Sequence, residues 1–551
     1  MAETKRILII GAGMSGLTAA ITIRRQLPGF ENFVIYEEVD DIGGTWKWNT
    51  YPGAASDVGT HWYCLSTDLN PAWTVSHVGQ PELFAYWKAL VKKYQLQSHI
   101  FCNTRVVSAR WNEEHQGYDI QLQDMLKKEV KTEFANVLIS ANGLLSVPHY
   151  PSQFKNIDKF KGDHFHSARW NHRVDLKNKN VAVIGNGCSA AQILPSITKD
   201  SSVKITNFCR SPNWFAPDPR TSYSPLVRWI FSYVPLALRL YRDRLYINHD
   251  LSYLRTAASH KNPVYEKVLR NEATELIKLK APKKYHDILI PDYSVGCRRM
   301  IFGTQYLEAL HRPNVEVSYD DIVGVVDNGL TTKRGDILPF DVIIFATGFV
   351  VDCFPIELRG RTGLSVQEFY DQNGGPYAYK GTALPGFPNL YLLTGPNTGH
   401  GSALFTAEVQ SNWIMQLIKP ILRNEVSSFE PTEDATKSYN EMLRPKLENS
   451  IWSGNCSSWY RTGHSGKVSI NFPGTQTEYW WIMRHPVWTD FKAVNDDKWL
   501  SSRRTKKATK RIVCLVLVLL GLRLNDGYLK TIIGSTWKYV LDRIQQSSGL
   551  I

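Results

Sequence analysis

Two short stretches built alike constrain this 551-residue chain more than any other feature. In the first, the apolar run KRILII passes into the glycine turn GAGMSG and then into LTAAITIRRQL; in the second, NVAVI passes into GNGCSAAQIL. An apolar run, a glycine turn and a segment of helical periodicity together mark the start of a βαβ unit. In the first unit Gly11 permits the turn, Gly13 lets the backbone approach a pyrophosphate, and Gly16 lets helix and strand pack closely. Glu37 ends the next apolar run, NFVIYE, where a carboxylate accepts hydrogen bonds from a ribose.

The second unit has Gly185 and Gly187, with Ala190 in the third small position. Two such units imply two dinucleotides. After the strand VKITNFCRS the second unit presents Arg210 where the first presents an acid. A guanidinium matches a 2′-phosphate bidentately and a carboxylate repels it, so the second nucleotide is expected to be NADPH.

From about Pro219 to Lys283 the pattern changes to long helical periodicity rich in Arg, Leu and Tyr, read as a helical insertion. DVIIFATGF, Asp341 to Phe349, reads as a buried strand, and from PGFPNLYLL onward the chain returns to strand and helix, which completes the first domain. The expected fold is α/β, with two dinucleotide-binding, Rossmann-like domains and a helical insertion. The boundaries expected are 1–148 with 390–500 for the first domain, 149–218 with 328–389 for the second, 219–327 for the insertion, and 501–551 for a basic and apolar tail.

The charge of +13 is accompanied by no nucleic-acid motif, and bound dinucleotides themselves recruit basic residues, so no nucleic-acid partner is expected. Eight cysteines show neither paired nor metal-ligand spacing, which predicts free thiols in a reducing compartment and no metal site. The start enters a strand at once, so no leader is expected and the location expected is cytoplasmic. In the tail, the basic run Arg503 to Arg511 precedes the apolar run Ile512 to Leu522. As a helix that apolar run spans about 16 Å against a hydrocarbon core of about 30 Å, too short to cross. The two readings of the tail are peripheral contact with an anionic membrane and a buried helix with a basic flank.

Two further motifs carry a family resemblance. FKGDHFHSARWNH places Phe160, Gly162, His166 and Trp170 at fixed spacing, and GGTWKWNTYPGAASD places Gly44, Trp46, Tyr51, Pro52, Gly53 and Asp57. In these motifs the chain resembles the class B flavin-dependent monooxygenases, and within them the type I Baeyer–Villiger monooxygenases, over roughly Lys5 to Phe491. Related enzymes that oxidise soft heteroatoms carry Tyr at the position of Trp170, and Asn171 departs from the usual Pro or Asp.

The resemblance implies FAD on the first unit and NADPH on the second, with the Phe160 to His172 stretch joining and coupling the two domains. It implies catalytic roles for Arg299, Asp57 and His166. Oxygen activated by reduced flavin must stay anionic to attack a carbonyl carbon, and a permanent cation favours that anion. One residue of register separates Arg298 from Arg299; the motif selects Arg299, positioned by Asp57, and gives Arg298 to the NADPH phosphate. The remaining cofactor contacts implied are Gly44, Thr45, Trp46, Asp57, Tyr63 and Val106 for FAD, and Gly185, Gly187, Ser189 and Arg210 for NADPH. The expected reaction inserts one atom of O2 beside a ketone carbonyl. The aromatic-rich insertion and the stretch SGNCSSWYRTGHSGKVSINFPGTQTEYWW suggest a bulky polyketide, terpenoid or steroid substrate. The alternatives are an N- or S-oxidising enzyme of the same fold and a non-catalytic NADPH-binding sensor.

Overall fold

In a computed structural model that describes residues 5–399, 401–462, 466–501 and 516, the first apolar run is strand β1 (Ile7–Ile10), buried at every residue. It turns at Gly11, φ +98°, into helix α1 (Met14–Gln26). Only glycine fits there without strain, and a Cβ would stand 2.7 Å from the Ala141 carbonyl oxygen. At Gly16 a Cβ would come within 1.9 Å of the Gly11 carbonyl oxygen, so α1 leans directly on the turn. The chain continues through β2 (Phe33–Tyr36), α2 (Thr45–Trp48), β3 (Ile100–Phe101) and β4 (Val137–Ser140). In this parallel sheet Ile9 lies opposite both Ile35 and Ile139.

Against it packs a second layer, with Thr104–Asn112, Gly117–Asp124 and Val130–Ala135 antiparallel and Glu357–Arg359 added in parallel. Leu8, Ile10 and Val34 share a core with Val106, Trp111, Tyr118 and Ile120.

The second parallel sheet is formed by β5 (Asp163–His166), β6 (Asn180–Ile184), β7 (Lys204–Phe208), β8 (Val315–Ser318) and β9 (Val342–Phe345), in the order β8-β7-β6-β9-β5. Helix α3 (Cys188–Ile197) follows β6. Between β7 and β8 run the helices α4 (Pro225–Tyr233), α5 (Ala237–Lys261) and α6 (Pro263–Lys280), followed by the short helices His286–Leu289 and Gln305–Ala309. Phe160, Ala182, Phe208, Ile343 and Phe345 form this half's core. Strand β10 (Leu390–Leu392) then pairs with β4, giving the first sheet the order β10-β4-β1-β2-β3. Helix α7 (Ala403–Leu422) follows. The α/β architecture is thus the one expected, with two parallel sheets and a helical insertion. Strand β8 lies within the stretch 219–327 that the sequence reading gave to the insertion, and Glu357–Arg359 joins the first half's second layer although it falls within 328–389.

The chain divides into two units. Met1–Leu422 with Ser428–Lys492 holds both parallel sheets; Arg423–Ser427 with Ala493 onward forms the other, in which the Ser427 N–H donates to the Val494 carbonyl. The runs Arg503 to Arg511 and Ile512 to Leu522 lie outside the described residues apart from Val516, and no described helix is long and apolar enough to cross a membrane.

One expectation is corrected. Cys297 and Cys456 form a disulfide, where free thiols were expected throughout. They stand 159 residues apart in sequence, and tertiary packing brings their Cα atoms to 6.2 Å. Cys64, Cys102, Cys188, Cys209 and Cys353 are free.

Ile343 is fully buried at the centre of β9. Ile343→Ala is expected to cost about 2–5 kcal/mol of unfolding free energy in a denaturant titration, whereas Val323→Ala, at a site 52 % exposed, should change it by less than about 0.5 kcal/mol.

Candidate active site

The Gly44 to Asp57 segment bridges the two halves. At Gly44, φ +53°, a Cβ would lie 2.8 Å from the Gly13 Cα, so the segment starts against the first glycine turn. Its other end is fastened to α3. The Tyr51 hydroxyl donates to Gln192 Oε1 at 2.9 Å, and Gln192 Nε2 donates to the Ala55 carbonyl at 3.1 Å. Gly53, φ +87°, sits so close to α3 that a Cβ would lie 2.5 Å from the Gln192 carbonyl oxygen. Trp46 packs edge-on to Tyr63 with ring centroids 6.0 Å apart, and the Tyr63 hydroxyl donates to Met14 Sδ at 3.0 Å.

At the end of this segment Asp57 meets Arg299. Arg299 Nε and Nη2 both donate to Asp57 Oδ2, at 2.9 and 2.6 Å, with side chains 26 % and 34 % exposed for Asp57 and Arg299. The carboxylate is the main cause of a further rise in the arginine's pKa, so the guanidinium is cationic at every working pH. Two groups not singled out as site residues face the same pair. Burial, with Asp57 adding to it, pushes the Cys188 thiol up to about 11; burial raises the Tyr460 hydroxyl to about 12 against the pull of Arg299. Cys188 stood out in sequence only as one cysteine among eight, and Tyr460 only as one aromatic in a rich stretch.

Arg298 points elsewhere. Its guanidinium donates to Ser211 Oγ at 3.0 Å and to the Pro212 carbonyl, and lies 4.9 Å from the Tyr293 ring centroid. Arg210, exposed after β7, donates to Ser457 Oγ at 3.4 Å, and Arg298 reaches the Ser457 carbonyl at 3.5 Å. Two cations thus gather around Ser457, three residues before Tyr460, a convergence for which the sequence holds no signal.

The Phe160 to His172 stretch is more than a connector. Its Asp163–His166 portion is β5, the edge strand paired with β9, and a Cβ on Gly162 would lie 2.3 Å from the Asp341 carbonyl oxygen. Its later residues touch the bridging segment. The Arg169 guanidinium stacks 3.3 Å above the Trp48 ring centroid, and His172 Nε2 lies 2.8 Å from Thr50 Oγ1. Trp170 packs edge-on against Phe165. His166 is fully buried, its Nδ1 accepts from the Ala168 N–H at 3.1 Å, and Tyr150 and Phe349 pack edge-on to its ring. Burial, above all, lowers its pKa to about 4. The structure therefore brings Asp57 and Arg299 together and seats His166 within the second half.

Do these residues fit two dinucleotides? Helices α1 and α3 begin at Gly13 and Gly187 with no side-chain cap, so their first N–H groups are left to meet an anion, and a Cβ on Gly187 would meet open space. Glu37 is buried; its carboxylate accepts from the N–H groups of Ala12 at 2.7 Å and Val39 at 3.2 Å, and burial raises its pKa. Thr45 opens α2 beside Gly44, Ser189 lies in the first turn of α3, and Gly185, φ +103°, repeats the role of Gly11. Val106 is a core residue of the layer behind the first sheet. The donors fit a pyrophosphate at each helix start and an extra phosphate at Arg210 and Arg298.

Residues 4–216 match the flavin-binding monooxygenase-like family. A Baeyer–Villiger monooxygenase of Pseudomonas aeruginosa is 36 % identical over 85 % of this chain and 88 % of its own length. An FAD-binding monooxygenase of Aspergillus niger is 32 % identical over 98 % of this chain and 91 % of its own. Among solved structures, an oxidized steroid monooxygenase bound to NADP superposes with a TM-score of 0.77 at 26 % identity, covering 90 % of this chain and all of that one, 100 %.

The buried His166 makes a pH prediction. Its folded pKa lies below the ordinary 6.5, so the unfolded chain binds a proton that the folded chain excludes. Its stabilising contribution is complete above pH 6.5 and is lost as pH falls toward about 4. His166→Asn keeps an acceptor for the Ala168 N–H and should flatten the stability curve in that window by about 1.4 kcal/mol per pH unit. Parallel curves for variant and wild type in denaturant titrations would contradict the assignment.

Proposed function

This chain is a type I Baeyer–Villiger monooxygenase, an FAD- and NADPH-dependent enzyme, and from that premise we propose that it inserts one atom of O2 beside the carbonyl of a bulky apolar ketone to give an ester or lactone. FAD, bound, supplies the two-electron reduction of O2, and the rest follows from this chain's residues. We assign FAD to the half built on the first glycine turn, 1–148 with 390–500 and the Glu357–Arg359 strand, and NADPH to the half built on the second, 149–218 with 328–389 and the Val315–Ser318 strand; the rest of 219–327 is the insertion and 501–551 the tail. The observation that carries the reading is the Asp57–Arg299 pair at the end of a segment fastened to the first glycine turn and to α3.

Arg299 is too strongly held in its charged form to donate or take a proton, so its part is electrostatic. It presents a fixed positive charge where negative charge gathers on oxygen, and Asp57 sets its direction through two hydrogen bonds to one oxygen. The neutral thiol of Cys188 and the neutral hydroxyl of Tyr460 add no charge that would weaken that field. Gly13, Gly16, Gly44, Thr45, Trp46, Tyr63 and Val106 belong to the FAD side in this assignment, with Glu37 toward the ribose. Gly185, Gly187, Ser189, Arg210 and Arg298 belong to the NADPH side. His166 acts through the second half, by holding the turn that leads to Arg169 and its contact with Trp48. The steroid substrate named for one structural neighbour supports a polycyclic or similarly bulky ketone.

Product analysis with panels of bulky and small ketones, and of sulfides, under isotopically labelled O2 tests the reading. One labelled oxygen is expected in an ester of a bulky ketone, and sulfoxide formation with every ketone left intact would contradict it. Arg210→Ala removes a charge-assisted contact worth about 1.5–3 kcal/mol, so the Kd for NADPH should rise about 10- to 100-fold while that for NADH hardly moves. Equal losses for both nucleotides would place Arg210 in a structural role.

A further inference from the structure

Helices α4 and α5 present two unlike faces. Their inner face is packed: Phe231 and Tyr241, with Tyr223 just ahead of α4, surround His61 edge-on, and the buried Arg242 lies 4.5 Å from the Trp62 ring centroid and 3.7 Å from Glu408. Their outer face is apolar and open. Leu226, Trp229 and Tyr233, spaced i, i+3 and i+7, share one side of α4, and Trp229 is 54 % and Tyr233 71 % exposed. Leu236, 70 % exposed, carries the strip round the turn, and Leu240 and Ile247 continue it along α5. A strip of this length on a firmly seated helix pair is an interaction surface.

Its charge selects the partner. Arg228, Arg239, Arg244, Arg255 and Lys261 lie on these two helices, against the carboxylates Asp243 and Asp250. Asp250 is turned inward, accepting from the N–H groups of Gln476 at 2.8 Å and Thr477 at 3.1 Å, which leaves Asp243 as the exposed acid among their described residues. A second copy of the same cationic face would be repelled, as would the basic run Arg503 to Arg511. Trp and Tyr beside Leu and Ile, with Arg244, Arg255 and Lys261 exposed on the same helix pair, suit the boundary between anionic headgroups and acyl chains, with the helices lying in its plane.

We propose that the α4–α5 elbow docks this enzyme on an anionic lipid membrane. The test uses the full-chain holoenzyme and sedimentation with two vesicle types, phosphatidylcholine alone and phosphatidylcholine mixed with phosphatidylglycerol. Wild type is expected to sediment with the anionic vesicles alone and to release them as salt rises. The variant Trp229→Ser/Tyr233→Ser/Leu236→Ser/Leu240→Ser changes exposed side chains only, and should lose about tenfold or more in vesicle affinity while oxidising NADPH with a water-soluble ketone at the wild-type rate. Arg244→Glu/Arg255→Glu should weaken binding to anionic vesicles in the same direction. Undiminished binding by the fourfold variant would overturn the proposal and move the contact to another surface such as the tail. So would a wild type that ignores both vesicle types, or one that is a dimer which the fourfold substitution dissociates.

Discussion

The positive charge of Arg299 is the constraint around which the site is arranged. A guanidinium partly withdrawn from water needs a fixed anion, and Asp57 supplies it through two hydrogen bonds to a single oxygen. The arginine comes from the chain that follows helix α6 and the aspartate from the segment that leaves the first glycine turn, so the pair can form only when both halves are folded and docked. That requirement explains why the aspartate's segment is so tightly held. Gly44 lies against Gly13, Gly53 lies against α3, and Tyr51 and Ala55 both bond to Gln192.

The same economy of space governs both dinucleotide turns. Gly11 and Gly185 have left-handed backbones close to a carbonyl of a neighbouring strand, and the helices that follow start without side-chain caps. Each helix start is therefore a place for an anion and not a finished cap. The second half adds Arg210 and Arg298, which meet at Ser457, and the proposed function gives this pair the extra phosphate of NADPH.

Much of this was legible because close backbone approaches leave letters in a sequence. A turn that only glycine can make, an alternation of apolar runs with helical spacing, and an acid or an arginine after the second strand are local, so both sheets and the helical insertion could be read directly. Contacts that depend on remote packing left no such mark. The Cys297–Cys456 disulfide joins residues 159 apart with no motif at either end, and Tyr460 and Ser457 approach the arginines from more than 150 residues further along the chain. The Phe160 to His172 stretch shows both cases: its motif was visible, but its place as an edge strand beside β9 depends on the Val342–Phe345 strand far along the chain.

In the proposed reaction Arg299 supports oxygen transfer and not the delivery of electrons from NADPH. Rapid mixing of Arg299→Ala with NADPH in the absence of O2, followed by product analysis in its presence, separates the two. Bleaching of the flavin at a rate near that of wild type, with no ester formed and hydrogen peroxide released in step with NADPH consumed, is the predicted result. Ester formed at near wild-type yield would contradict the account, and Arg298 would then be the residue to examine.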